Sequence, residues 1–243
     1  MTAARIWRNW SGTVAVQPGR FAAPRSTEQL CDLVRSASGC VRVVGSGHSF
    51  NRQIDTGSEP DSLLLSLGSL NWVDEPCQES RTVRVGGGAT YIDLTRALHG
   101  SGLALHNTAA LPHVTVAGAV STGTHGSSGV DGATGLAKLG SLASAVTALE
   151  IVCADGQVRE LQRGQSPEFC GAVISVGCLG VISSVTLQLV PDYDVQQTVY
   201  GHWPLDTAGS GECSDSPPWD AAVLAAALAH RAVPTRAASR GRE

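Results

Sequence analysis

The feature that most constrains this chain is a ten-residue stretch, residues 41–50, in which a valine-rich run ends in a glycine turn. The valines have the composition of a buried strand. Gly45 and Gly47 flank a serine, and such a turn brings bare N–H groups close to a ligand, which suits a phosphate. His48 stands on the rim of this turn, where it either faces a bound cofactor or is an incidental surface histidine.

This glycine turn does not match the common nucleotide-binding fingerprints. Phe50 stands where the G-x-G-x-x-G pattern needs its third glycine, and a polar loop follows instead of a helical pattern. A nicotinamide Rossmann site is therefore not expected. Ser26 or Thr27 can cap a helix before the strand, so the turn lies at the carboxyl end of a β-α-β unit, where α/β sheets tend to bind ligands.

A second stretch, residues 107–126, is almost free of charge and is crowded with small residues, hydroxyl groups and two histidines. Small side chains let the backbone lie flat against a large planar ligand. The hydroxyl groups of Ser121, Thr122 and Thr124 can donate to phosphate or ring oxygens. The alternative is a tightly packed turn of alanine and glycine in the core.

The remaining pattern predicts a mixture of helices and strands. Thr90 can cap a helix, and the Asp155-Gly156 pair favours a hairpin. A β-branched run predicts a strand over residues 185–190. After Tyr193 the pattern changes, and residues 195–243 are expected to form a poorly ordered tail.

Composition excludes several classes of function. The net charge is −4 with no block of lysine or arginine, so nucleic acids and anionic membranes are not expected partners. The seven cysteines include no C-x-x-C pair, which argues against a metal site or a disulfide framework. Buried free thiols in a reducing compartment fit best, which predicts a cytoplasmic protein without a membrane segment.

Four motifs together resemble the FAD-binding domain of the vanillyl-alcohol-oxidase superfamily, most closely the alditol oxidases and the L-gulonolactone and D-arabinono-1,4-lactone oxidases. They lie at residues 43–50, 82–88, 111–126 and 177–183. The resemblance covers residues 9–194 and implies an α+β, two-lobed PCMH-type domain, with lobes at residues 9–72 and 80–194. Residues 195–243 would be a non-homologous tail or the truncated start of the cap domain that binds substrate in this family.

The resemblance also implies the cofactor and the residues that hold it. An extended FAD would lie between the lobes, with its pyrophosphate on the first glycine turn and its flavin bonded covalently to His48. The implied cofactor contacts are Gly45, Ser46, Gly47, His48, Ser49, Pro112, Thr115, Gly118, Ser121, Thr122, Gly123, His125, Gly180 and Ile182. Ala109 and Ala110 would border the flavin face, no catalytic residue is identified, and no metal is implied.

The function implied by the resemblance is oxidation of a small polyol or sugar lactone. Hydride would pass from a substrate CH–OH group to flavin N5, and molecular oxygen would reoxidise the flavin. Oxidase and dehydrogenase chemistry both stay open, because Ala109 occupies the place that controls oxygen access in relatives. One alternative is a cap-less FAD-binding module, or a gene fragment, without turnover. Another is a packed domain with no cofactor, against which the two glycine-rich stretches argue.

Overall fold

A computed structural model of the chain describes residues 6–126 and 140–194. The chain divides into two units, Met1–Asp192 and Tyr193–Glu243, and every element named here belongs to the first. In chain order the elements are β1 (Trp7–Arg8), β2 (Ala15–Val16), β3 (Arg20–Ala22), α1 (Thr27–Arg35), β4 (Val41–Val44), β5 (Leu63–Ser66), β6 (Thr82–Gly86), α2 (Tyr91–Leu98), β7 (Leu103–Ala104), α3 (Val116–Ser121), a 3₁₀ helix (Leu142–Ala145), β8 (Val146–Val152), β9 (Val158–Gln162), α4 (Phe169–Val173), β10 (Val181–Gln188) and β11 (Val190–Pro191).

A three-stranded parallel sheet has the order β3-β5-β4, which leaves β4 at an edge. The preceding helix α1 begins after Ser26, whose Oγ accepts a hydrogen bond from the Gln29 amide at 3.2 Å. Leu30 and Val34 lie four positions apart on one helix face and are buried against this sheet, as helical spacing requires. The predicted helix start and the predicted strand before the glycine turn are both confirmed.

A four-stranded antiparallel sheet has the order β6-β10-β8-β9 and carries the largest apolar core, shared with α2, α3 and α4. The β8–β9 hairpin turns at the predicted Asp155-Gly156 pair. A bulge in β10 leaves Ser183 without a partner residue on β8. Bulges re-aim the chain next to functional sites, and this one lies beside Ile182, which lines the cavity described below.

Several sequence predictions can be checked here. The mixture of helices with parallel and antiparallel strands confirms an α+β architecture. The strand predicted over residues 185–190 begins earlier, at Val181, because its first residues pair with the end of β8. The prediction of buried thiols is wrong for the six described cysteines, which are exposed or half-buried.

Two further features concern membranes and metals. No described helix combines the length and the apolar character that crossing a bilayer requires. Within residues 6–126 and 140–194, no three histidine, cysteine or carboxylate side chains come together as metal ligands. The predicted tail at residues 195–243 lies outside the described residues, and the cytoplasmic location stays a prediction.

Candidate functional site

A cavity of about 1100 Å³ opens along the free edge of β4. Both sheets contribute to its lining, through all four residues of β4 on one side and through Val152 and Ile182 on the other. The helix α3 and several loop segments complete it, among them the 45–49 loop after β4, the 86–88 turn before α2 and the segment before β10. Its size is that of a site for a large cofactor.

The 45–49 loop is held in place through its carbonyl groups. The Trp10 amide donates to Gly47 O at 2.9 Å, and the buried Asn9 side chain donates from Nδ2 to Ser49 O at 3.0 Å. Among the described residues, no acceptor bonds the amide N–H groups of residues 46–49. Gly47 turns the chain at φ +72°, a conformation that favours glycine. The loop therefore presents a run of unpaired donors, which is how backbone nests bind anions.

The loop and α3 approach each other around one threonine side chain. A Cβ on Gly118 would lie 2.6 Å from Thr115 Oγ1, and a Cβ on Gly45 would clash with the same atom. Thr115 precedes α3, yet its side chain does not cap the helix. The two glycines thus let the loop and α3 pack closely on the Thr115 side chain.

His48 forms the centre of an aromatic cluster at the rim of the loop. Its Nε2 lies 2.6 Å from His113 Nε2, and its ring stacks on the exposed Trp10 with centroids 5.1 Å apart. The Ser46 hydroxyl donates to His113 O at 2.7 Å, which ties the second histidine to the loop. Partial burial, and then the neighbouring His113, hold the pKa of His48 below its ordinary value. The neutral ring that results is the nucleophilic form of histidine.

The far side of the cavity is built from α3 and the segment before β10. Ser121 and Thr122 lie on the last turn of α3, and both hydroxyl groups donate to Gly118 O, at 3.2 and 2.9 Å. The Val176 amide donates to Ser121 O at 3.1 Å, which fixes the next segment against α3. Gly180 (φ +146°) then leads into β10 at a position where a Cβ would meet the Val152 backbone.

Most of the sequence-predicted site residues come together, since eleven of the cofactor contacts line this cavity. These are Gly45, Ser46, Gly47, His48, Ser49, Thr115, Gly118, Ser121, Thr122, Gly180 and Ile182. Three do not line it: Pro112, whose carbonyl accepts from the Ile92 amide at 2.8 Å, Gly123 at the end of α3, and the exposed His125. Ala109 packs against the main core and Ala110 is exposed, so neither residue reaches the cavity.

Other lining residues were not identified as site residues from the sequence. Gly87 and Gly88 belong to the glycine run at the end of the motif at residues 82–88. Asn71 stands in a loop with no pattern of its own, and Arg42 lies inside β4. A single polar residue within a valine-rich strand carries no local signal, because the pairing of β4 decides whether it meets solvent or a cavity.

Comparison with known proteins gives a family and a set of relatives. Residues 18–162 match the family model described as an FAD binding domain. The chain is 41% identical over 197 residues to the alditol oxidase of a Streptomyces species, which covers 81% of this chain and 45% of that protein. These matches confirm the resemblance seen in the four motifs.

Two further relatives are sugar-lactone oxidases. Identity to the L-gulonolactone oxidase of Bos taurus is 35% over 198 residues, or 80% of this chain and 42% of that one. Identity to the D-arabinono-1,4-lactone oxidase of Saccharomyces cerevisiae is 31% over 201 residues, or 79% and 36%. The chain thus spans less than half the length of these three relatives.

Proposed function

From the premise that this chain belongs to the FAD-binding domain family, we propose that it holds an extended FAD in the cavity, bonded covalently to His48. The whole protein would be an oxidoreductase that acts on CH–OH groups of polyols or sugar lactones. The FAD would lie between two lobes, residues 9–72 around the parallel sheet and residues 80–194 around the antiparallel sheet. A cavity lined from both sheets supports this arrangement.

The chemistry of the lining supports the cofactor and its orientation. The unpaired amides of residues 46–49 suit the pyrophosphate, and Gly45 and Gly118 let the loop and α3 come together around Thr115 at this place. Ser121 and Thr122 would lie along the cofactor, and Gly180 and Ile182 would meet its adenine end. Of the other predicted contacts, Pro112, Gly123 and His125 would have to reach the cofactor by a movement of the 107–126 segment.

The observation that carries the proposal is the 2.6 Å contact between His48 Nε2 and His113 Nε2. Only one proton fits between two nitrogens at this distance, so at least one ring is neutral. Because Nε2 of His48 faces its partner, Nδ1 is the nitrogen left for a bond. His113 holds the ring and can take the proton from Nε2, while Trp10 stacks on its face.

When bound, the flavin supplies two-electron chemistry: it takes hydride at N5 and passes the electrons to an acceptor such as oxygen. The protein would position it through the loop amides and the residues that line the cavity. The expected places of Ala109 and Ala110 beside the flavin are not supported by their positions outside the cavity.

A covalent link predicts that acid-precipitated protein keeps its yellow colour. His48→Ala should release FAD to the supernatant, and His113→Ala should leave a larger fraction uncoupled. His99→Ala is the matched control, since His99 is an exposed histidine outside the cavity that is not among the expected cofactor contacts. Full release of FAD from the wild-type chain would rule out the link, and absence of flavin from all variants would rule out the cofactor.

A second candidate function is an FAD-binding module without turnover. Asp93 is the single carboxylate among the described lining residues, and it already accepts hydrogen bonds from the Thr90 hydroxyl and amide. A base for the substrate hydroxyl would then come from elsewhere. Anaerobic mixing of the loaded chain with an alditol or a sugar lactone separates the two functions: bleaching of the flavin supports the enzyme, and an unchanged spectrum supports the module.

A further inference from the structure

Trp10 is an unusual neighbour of His48, because its side chain is 69% exposed and yet makes a specific ring contact. The indole stacks on the imidazole with centroids 5.1 Å apart and an interplanar angle of 30°. A ring this exposed adds little to the core, since stability comes from apolar area that is removed from water. Trp10 also lies outside the cavity, so its effect on a ligand would be exerted through His48.

The backbone of Trp10 is fixed relative to the loop that carries His48. Its amide donates to Gly47 O at 2.9 Å, and the preceding Asn9 donates from Nδ2 to Ser49 O at 3.0 Å. Asn9 is itself buried in the turn between β1 and β2. The indole is therefore carried by a backbone that is bonded to the carbonyl groups on both sides of His48.

Two contacts restrict the His48 ring in different ways. Histidine has a broad preference for rotation about its Cβ–Cγ bond, so neither the plane of the ring nor its orientation is set by the side chain alone. The 2.6 Å contact with His113 selects the orientation that points Nε2 at its partner, because half a turn of the ring would put carbon there instead. The stack on Trp10 restricts the plane of the ring.

The plane of the ring decides where a bond to Nδ1 can form, because the lone pair of this nitrogen lies in that plane. Reaction needs the two atoms about 3–3.5 Å apart with their orbitals aligned. Formation of the proposed link removes one hydrogen from a methyl carbon of the flavin and one from Nε2 of His48, and molecular oxygen takes both as hydrogen peroxide. The rate of this step therefore depends on how often the imidazole stands in the reactive plane.

We propose that Trp10 is a positioning residue for the link between His48 and the cofactor: its indole fixes the plane of the imidazole and so the direction of the Nδ1 lone pair. This inference rests on the proposed function, and it adds to the site a residue from the turn between β1 and β2. His113 would set which nitrogen faces the flavin, and Trp10 would set the plane in which that nitrogen points.

The test adds FAD, in air, to the full chain purified from riboflavin-limited cells, and follows the flavin that stays with acid-precipitated protein. Trp10→Leu should lower the maximal rate of coupling by about three- to tenfold, as expected for loss of an aromatic contact. The FAD concentration that gives half of this rate should change by less than about twofold, because Trp10 lies outside the cavity. Trp10→Phe keeps a ring that can stack and should restore most of the rate.

Phe50→Leu is the matched control, because Phe50 is a similarly exposed aromatic residue (68%) that follows the same loop. It lies outside the cavity, and its ring contacts no other aromatic ring among the described residues. The control should leave both constants unchanged.

An unchanged maximal rate in Trp10→Leu would overturn the inference, as would an equal slowing in Phe50→Leu. A change in the half-saturating FAD concentration alone would also overturn it, since Trp10 would then bind the cofactor instead of positioning His48. Absence of coupled flavin from the parent and the control chains would overturn the proposed link to His48 itself, so the two failures are distinct.

Discussion

The 45–49 loop and the 86–88 turn both contain glycine, both come at the end of a strand, and both line the cavity. They differ in the hydrogen bonds of their backbone amides. In the 86–88 turn all three amides donate to backbone carbonyls: Gly86 to Trp72, Gly87 to Ser183 and Gly88 to Leu70, at 2.8–3.0 Å. In the loop, the backbone amides of residues 46–49 donate to no described acceptor. The turn is bonded to the fold, whereas the loop keeps its donors for a ligand.

The neighbours of the two segments differ in the same way. A Cβ on Gly86, Gly87 or Gly88 would collide with backbone carbonyl groups. A Cβ on Gly45 or Gly47 would instead meet side chains, of Thr115 and Trp7. Backbone held in a sheet cannot move aside, but side chains can. Glycine in the turn is thus required by rigid backbone neighbours, whereas glycine in the loop is required by side-chain neighbours and, at Gly47, by its positive φ.

The largest effect is expected in the bonded turn. In Gly88→Ala the new methyl group would lie 2.6 Å from the Leu67 carbonyl carbon and closer still to its oxygen. The overlap should lower the free energy of unfolding by about 3 kcal/mol, measured by urea denaturation of the apoprotein. The control is Gly171→Ala in α4, which has open space around it and should be neutral or stabilising by up to about 1 kcal/mol. Equal stability of Gly88→Ala and Gly171→Ala would show that the 86–88 turn does not require glycine for folding.

A smaller loss of stability, with a larger loss of cofactor, is expected in the loop. Gly47→Ala forces a side chain into φ +72° and toward Trp7, at a cost of about 1–2 kcal/mol. Gly57→Ala imposes the same φ of +72° where no heavy atom lies within 4 Å, so it controls for backbone strain. The ratio of flavin to protein absorbance after purification should fall in Gly47→Ala alone. A parallel fall in both would assign the effect to strain.

The smallest effect is a difference in pH dependence between the two segments. Since the pKa of His48 is lowered by burial and by His113, the unfolded chain binds the proton more readily than the folded chain. The contribution of His48 to the free energy of unfolding is therefore complete at a pH above its unfolded-state pKa of about 6.5, and it is lost as the pH falls below that value. Beside the 86–88 turn, hydrogen bonds from Thr90 hold the pKa of Asp93 below its usual value. That contribution is lost only below about pH 3.9.

Urea midpoints measured from about pH 7.5 down to pH 3 should separate these two windows. His48→Ala should remove the pH dependence of the urea midpoint in the upper pH window and leave it unchanged in the lower one. Thr90→Ala should do the reverse. An unchanged slope between about pH 6.5 and 5 in His48→Ala would show that another group titrates there.

Local sequence patterns predicted much of this structure. The caps at Ser26 and Thr90 predicted two helices, because capping depends on a few neighbouring residues. The start of β10 was missed because Val181 is held there by pairing with Val152. Strand pairing depends on residues far away in the chain, and no local composition encodes it.

The candidate site shows the same difference between what neighbouring residues predict and what depends on distant ones. His48 was identified from its own turn, but its contact with His113 joins residues 65 positions apart and needed the fold. The motif resemblance predicts cofactor contacts at Thr115 and Gly118, and the fold adds that Thr115 Oγ1 lies close to both Gly45 and Gly118. Ala110 shows the converse, since adjacency in a motif did not place it at the cavity.

The place of β4 at the edge of its sheet has a consequence for the newly made chain. A valine-rich edge strand with unpaired main-chain groups is a template on which another copy can add a strand, the first step of aggregation. Here that edge forms a wall of the cavity, so whatever fills the cavity also shields the edge. Arg42 is the one charged side chain on the strand that opposes such pairing. If the proposed FAD fills the cavity, expression with added riboflavin is expected to raise the soluble yield of this chain.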